Sequence, residues 1–213
     1  MKISEIYQKF ITPPNLKNHL LLVTKVALHI VENWQGLPID VNKLKTAALL
    51  HDLANIVKFD FAKHPEFLGS EQSRINYWIA QQKEVVNKYG NDDHVATEKM
   101  LTEIGVPEEI IDIIDLKSFG SAVEVNDSNN WEVKILLYSD LRVGPFGIIS
   151  LRERIDDLVG RLEKYKNRSD LPQLTAACKN IEDQIRQYSG LNLEKLKIED
   201  LNHDDKRLLD TDI

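Results

Sequence analysis

A chain of 213 residues is long enough for one large domain, or for one domain with an appendage. Its 34 acidic residues outnumber its 27 basic ones, and a net charge of −7 argues against nucleic acid as a partner, because no basic surface replaces the counterions of a phosphate backbone. The hydrophobic content of 42% excludes wholesale disorder, and the one cysteine, Cys178, excludes an internal disulfide framework.

The sequence also carries no sign of export or membrane insertion. The first residues lack the apolar stretch of a signal peptide, and no later segment is long and apolar enough to span a bilayer. Since a single cysteine suits a reducing compartment, we expect a cytoplasmic protein without a membrane partner.

Apolar residues recur at the helical spacing i, i+3, i+4, i+7 almost throughout the chain, whereas alternating strand-like runs are rare. The predicted fold class is therefore all-α. In chain order we predict helices over about 2–10, 16–34, 41–54, 70–89, 92–104, from 107, 131–143, 150–166 and 172–188. Asp40 and Ser70 are the predicted N-caps of two of them, and Ser150 with Glu153 forms a capping box.

Turn-forming residues predict loops over 55–69 and 117–130, and glycine and proline break the chain at 144–147. Gly90 supplies a left-handed exit from the helix that ends at Tyr89, and the helix over 172–188 ends at Gly190. The last twenty residues are charged but carry leucines, so they form either a short docked helix or a frayed tail.

Three apolar stripes each lead to a titratable side chain where the helical pattern calls for an apolar one. These side chains are His19 in the second helix, His51 followed by Asp52 in the third, and Asp140 in the helix from 131. The stripes comprise Leu16, Leu20, Val23 and Ala27; Leu44, Ala47 and Ala48; and Val133, Leu136 and Leu137. A buried carboxylate needs a cation or dense hydrogen bonding.

Two inward imidazoles and two carboxylates suit a divalent site for Fe, Mn, Co, Ni or Zn, rather than a thiolate site. Each residue on its own is equally compatible with a hydrogen-bonded core histidine or a capped aspartate. The coincidence of such groups on three helices favours the metal.

The ordered set of motifs resembles the HD-domain superfamily of metal-dependent phosphohydrolases. The resemblance rests on Asn18-His19, on the run from Ala47 to Asn55 that contains the His-Asp pair, and on Leu136-Leu137-Tyr138-Ser139-Asp140. The segment around His94 is similar to one that carries an intermediate histidine in many members. The similarity extends from about 15 to 165. We therefore expect a short N-terminal helix over 1–14, the HD domain over 15–165, and a helical extension with a tail over 166–213.

The resemblance implies that His19, His51, Asp52 and Asp140 bind a divalent cation (Mn, Fe, Co, Ni, Zn or Mg), with Asp52 also a candidate general base. We expect Lys58, Arg142 and His94 to contact the substrate. The remaining arginines, Arg152, Arg154 and Arg161, are expected mostly on exposed faces.

The sequence departs from the family pattern in two places. Asn55 stands where many members have a lysine, and residues 112–121 lack the histidine that members with two metals usually have. A second ion near His94 would depend on water, substrate or the carboxylates of Glu98, Asp112 or Asp115. We therefore expect one tightly bound metal.

The leading function is hydrolysis of a small phosphate ester, with a nucleotide as the first candidate. A second possibility is a non-catalytic or regulatory HD domain that binds a nucleotide or a partner, favoured by the two departures. A third is a di-iron oxygenase, which ranks last because its chemistry needs more histidines.

Overall fold

The computed structural model describes residues 1–213, except for the side chain of Phe67, and confirms an all-α fold. Its α-helices are α1 (Ile3–Lys9), α2 (Pro14–Glu32), α3 (Val41–Leu50), α4 (Ile75–Tyr89), α5 (Asp93–Glu103), α6 (Glu108–Leu116), α7 (Ala122–Asp127), α8 (Trp131–Leu141), α9 (Leu151–Arg161), α10 (Glu163–Lys166), α11 (Leu171–Ser189) and α12 (Asp205–Leu209). Short 3₁₀ turns span Asn55–Lys58, Pro65–Arg74, Phe119–Ser121, Leu193–Lys195 and Ile198–Asp200. A small antiparallel hairpin joins β1 (Val143–Gly144) to β2 (Gly147–Ile148).

Local sequence signals explain where several helices begin and end. The Asp40 carboxylate accepts hydrogen bonds from the first backbone N–H groups of α3, and Ser150 with Glu153 forms the predicted capping box of α9. These predictions are confirmed. Gly190 ends α11 in the left-handed conformation (φ 67°). Gly90 ends α4 with φ 104° and ψ 175°, which is not the left-handed helical conformation predicted for it.

The core is centred on α2, which packs against α3 and α8, while α3 also packs against α6 and α8. All the apolar stripe residues predicted on α2, α3 and α8 are buried. Burial of these stripes places their polar members, His19, His51 and Asp140, toward one another.

The C-terminal segment is docked against the domain rather than frayed. Leu193, Leu196 and Leu208 are buried, and α12 contacts α1. The backbone N–H of Ile3 donates to the carbonyl oxygen of Thr211 (3.0 Å), which ties the two ends of the chain together.

Three predicted boundaries are wrong. Ser70 does not cap α4, because the chain turns at Gly69 (φ 54°) within a 3₁₀ stretch and the helix starts only at Ile75. The predicted loop 117–130 contains α7, whose buried side packs on α11. The predicted third helix ends at Leu50 rather than 54, which leaves His51 at its C-cap.

No described helix has both the length and the apolar character needed to cross a membrane. The two 19-residue helices, α2 and α11, each carry charged side chains along their length.

Candidate metal centre

Four predicted ligands meet at one point in the structure. His19 on α2, His51 and Asp52 at the end of α3, and Asp140 on α8 each offer a ligand atom, and these atoms lie within 4.8 Å of one another. His19 Nε2 is 3.2 Å from Asp140 Oδ1, and His51 Nε2 is 3.6 Å from the same oxygen. The structure therefore brings together all four side chains.

His51 is oriented by its own helix. Its Nδ1 lies 2.8 Å from the carbonyl oxygen of Ala48. A carbonyl oxygen can only accept, so Nδ1 carries a proton, and in the neutral ring Nε2 then presents its lone pair toward Asp140. This is the tautomer that a metal-binding histidine requires, and a backbone carbonyl is a common partner for its other nitrogen.

The carboxylates of Asp52 and Asp140 share a cation that the sequence analysis missed. The Lys117 ammonium lies 2.9 Å from Asp52 Oδ1 and 3.1 Å from Asp140 Oδ2, and its side chain is only 6% exposed. The Asn55 amide donates a hydrogen bond to Asp52 Oδ2. Both oxygens of Asp52 are thus engaged, and Asp140 is held through Oδ2, which leaves its Oδ1 without a hydrogen bond.

The electrostatics of the centre follow from this arrangement. Burial is the largest effect and by itself raises the pKa of both carboxyls, but the Lys117 ammonium together with the neighbouring histidines outweighs it and holds the pKa of Asp52 and Asp140 below the usual range. Burial lowers the pKa of Lys117, but the two carboxylates outweigh it, and the net pKa is raised. Burial lowers the pKa of His19 despite the nearby Asp140. At neutral pH the centre holds two carboxylates, an ammonium and a neutral His19.

The donor set fits a divalent cation. Among the described groups, His51 Nε2 and Asp140 Oδ1 are buried and make no hydrogen bond, which is costly for polar atoms. A cation bound to them would satisfy both. Two imidazoles and two carboxylates suit borderline and harder divalent ions.

The centre forms part of the wall of a cavity of about 580 Å³. His19, Asp52, Asp140 and Lys117 line it, and so do two of the predicted substrate-binding residues, Lys58 and His94. Lys58 is paired with Asp93 (2.6 Å). The lining contains four carboxylates and five cationic side chains, although the whole chain is acidic. The cationic side chains are Lys58, Lys117, Arg154, Arg161 and Lys164.

Arg142, the other predicted substrate-binding residue, does not line this cavity. Its side chain is buried, and its guanidinium donates to the carbonyl oxygens of Ile149 and Leu193 and to the Tyr138 hydroxyl. A guanidinium whose donors are engaged in this way has a structural role. Although Arg142 is only two residues from Asp140, its side chain reaches the segment at Leu193 instead.

Arg154 also corrects an expectation, because it is not on an exposed face. Its side chain is 13% exposed and lines the cavity, where it pairs with Asp157 (3.0 Å). Arg161 lines the cavity as well and bonds the same carboxylate, whereas Arg152 is exposed as expected.

The sequence contains a pattern that could have identified Lys117 as an inward-facing residue. Ile110, Ile113, Ile114 and Lys117 have the same i, i+3, i+4, i+7 spacing that identified His51, and the three isoleucines are buried. Lys117 lies in the segment 112–121, where no histidine is found. By contrast, the carboxylates considered for a second ion are not in the four-residue cluster and do not line the cavity; they are Glu98, Asp112 and Asp115.

The fold and the centre together define a helical protein with a two-histidine, two-aspartate candidate metal site in a cavity. The family model for the HD domain matches residues 16–193. The chain therefore belongs to the HD-domain superfamily of metal-dependent phosphohydrolases, as the sequence motifs predicted. Neither a curated protein nor a solved structure matches the chain.

Proposed function

We propose that this protein is a cytoplasmic, metal-dependent phosphohydrolase that acts on a small phosphate ester, with a nucleotide as the first candidate. One observation carries the proposal: the unpartnered His51 Nε2 and Asp140 Oδ1 meet His19 and Asp52 beside a cavity rich in cationic side chains. His19, His51, Asp52 and Asp140 would hold one tightly bound divalent ion. When bound, such an ion neutralises charge on a phosphoryl group and lowers the pKa of a coordinated water.

The remaining side chains have separate tasks in this proposal. Asp52 is ionised at neutral pH, so its Oδ2 accepts a proton from the attacking water, and the amide of Asn55 keeps that carboxylate oriented. Lys58 and His94 line the same cavity and bind the phosphate oxygens.

The cavity also supports the choice of a small, anionic substrate. A volume of about 580 Å³ lies in the range of pockets for small molecules. Arg154, Arg161 and Lys164 extend its positive charge along α9 and α10, and Phe119 and Tyr165 add aromatic surface. A phosphate attached to a ring-containing group matches both features, whereas the acidic chain as a whole disfavours a nucleic acid polymer.

One observation favours the second candidate function, a non-catalytic HD domain. The Lys117 ammonium and the Asn55 amide already neutralise or bond both carboxylates in the structure. A domain that uses these contacts in place of a metal would bind a nucleotide without hydrolysing it.

The test is a phosphate-release screen on the full chain after chelation and after reconstitution with each divalent metal in turn, using nucleoside mono-, di- and triphosphates and simple phosphate esters. Asp140→Asn preserves shape but removes a ligand charge, so we expect turnover to fall at least about 100-fold. Asp205→Asn is the matched control, because Asp205 pairs with Lys25 and does not line the cavity. Turnover that survives both chelation and Asp140→Asn would refute the proposal, and metal-independent nucleotide binding without turnover would favour the non-catalytic domain.

A further inference from the structure

The oxygens of the two carboxylates in the centre face two different kinds of partner, the imidazoles on one side and the Lys117 ammonium on the other. Asp140 Oδ1 faces the imidazoles of His19 and His51, at 3.2 and 3.6 Å from their Nε2 atoms. Asp140 Oδ2 and Asp52 Oδ1 instead bind the Lys117 ammonium, at 3.1 and 2.9 Å. One position for a cation is therefore lined by nitrogen and oxygen donors, and the other contains a permanent positive charge.

We propose that Lys117 occupies the second cation position of this carboxylate pair, so that the chain binds one divalent ion and uses an ammonium where a second ion would bind. The proposal deepens the proposed function, since it assumes that the four ligands bind metal. It assigns Lys117 as a positioning residue that determines metal stoichiometry.

Two physical effects exclude a second ion while Lys117 is in place. The oxygens that such an ion would need are already engaged by the ammonium. A second divalent ion would also lie next to a fixed positive charge with little water between them, because the Lys117 side chain is almost fully buried. Residues 112–121 also contain no histidine, so this segment adds no nitrogen donor for a second ion.

Charge balance shows what the arrangement achieves. Two carboxylates and one ammonium leave the centre with a net charge of −1, and one divalent ion changes this to +1. The same ligands without Lys117 would be neutral after binding one ion. The lysine therefore gives the wall of the cavity a positive charge toward a phosphate while only one metal is bound.

The experiment is a titration of the metal-free full chain with Mn²⁺, followed by calorimetry and by electron paramagnetic resonance. We expect wild type to bind one ion per chain with an uncoupled spectrum. Lys117→Met keeps the alkyl chain but removes the charge, and should bind the first ion at least about 10-fold more tightly. Lys117→His adds a nitrogen donor at the same place and should bind close to two ions, with an exchange-coupled spectrum.

Two further variants separate a specific effect from a general one. Lys117→Arg retains the positive charge and should keep a stoichiometry of one. Lys25→Met removes a lysine that lies on α2, the helix of His19, but pairs with Asp205, and should bind Mn²⁺ like wild type. Circular dichroism and thermal melting establish that each variant is folded, and Lys117→His still decides the matter if Lys117→Met does not fold.

Several results would overturn the proposal. They are two ions bound by wild type, no ion bound by wild type, an unchanged first affinity in Lys117→Met, or one ion bound by Lys117→His. Failure of the proposed function is distinguishable, because the titration needs no substrate. A chain that binds one Mn²⁺ and releases no phosphate would refute hydrolysis and leave the role of Lys117 intact. A chain that binds two ions and releases phosphate would refute the role of Lys117 and leave hydrolysis intact.

Discussion

Replacement of Arg142 tests whether its guanidinium supports the fold rather than the substrate. The group donates to the carbonyl oxygen of Ile149 and to the Tyr138 hydroxyl, both at 2.6 Å, and to the carbonyl oxygen of Leu193. The Tyr138 hydroxyl in turn donates to the buried carboxylate of Glu182 (3.0 Å). These contacts join α8, the segment before α9, α11 and the C-terminal segment, so we expect Arg142→Met to destabilise the whole domain.

The structure allows the size of this effect to be estimated. Arg142→Met keeps most of the side-chain volume, so the loss comes from polar groups rather than from a cavity. A buried carbonyl oxygen (Leu193) and a partly buried one (Ile149) lose a charged donor, and each such hydrogen bond contributes roughly 1.5–3 kcal/mol. Two such bonds correspond to roughly 3–6 kcal/mol. We expect a decrease of that size in the free energy of unfolding, out of a total of roughly 5–15 kcal/mol.

The assay is urea unfolding at neutral pH, followed by circular dichroism and tryptophan fluorescence. Arg152→Met is the matched control, because Arg152 is 92% exposed and pairs only loosely with Asp156 (3.8 Å), so its effect should be below about 0.5 kcal/mol. If Arg142→Met is as stable as wild type and binds a phosphate ligand more weakly, the structural role is refuted and Arg142 is assigned to substrate binding, as the sequence predicted.

Three further predictions concern other titratable groups. His51→Ala should abolish tight Mn²⁺ binding. His94→Ala should keep Mn²⁺ binding and lose less phosphate-release activity than His51→Ala, because His94 lines the cavity but is outside the ligand cluster. Equal losses of bound metal in the two variants would contradict this prediction. Burial raises the pKa of the Cys178 thiol to about 12, so iodoacetamide at pH 8 should label the protein only on unfolding, and rapid labelling of folded protein would count against the packing of α11. The pKa of His19 is lowered by burial from 6.5, so the unfolded chain binds more protons and the metal-free protein should lose stability as the pH falls below about 6.5. Urea melts at several pH values check this sign, and His19→Asn should reduce the slope.

The sequence alone predicted the helices and the ligand set, because both depend on local periodicity. A residue seven positions along a helix returns to the same face, so His51 and Asp140 had to point where the apolar stripes point. Once those stripes were recognised as core, the ligands were expected to converge without any knowledge of how α2, α3 and α8 cross. The HD motifs then added the chemistry.

Local patterns were less informative where a segment depends on distant contacts. Residues 117–130 are rich in turn formers, yet 122–127 forms α7 because Ala122 and Val125 are buried and the helix packs on α11, far along the chain. Ser118 and Ser121 there form a cap and a turn rather than a long loop.

Only the tertiary structure decided what the buried cations of Lys117 and Arg142 do. Lys117 continues the apolar stripe of α6, which shows that it points inward. Its partners, Asp52 just after α3 and Asp140 on α8, could not be predicted from any local pattern. Arg142 is two residues beyond Asp140, a predicted metal ligand, and was expected at the substrate, yet its side chain is directed to Leu193, 51 residues later. The physical reason is the same in both cases. Periodicity determines which face of a helix a side chain occupies, whereas the polar groups it contacts there depend on how segments distant in sequence pack together.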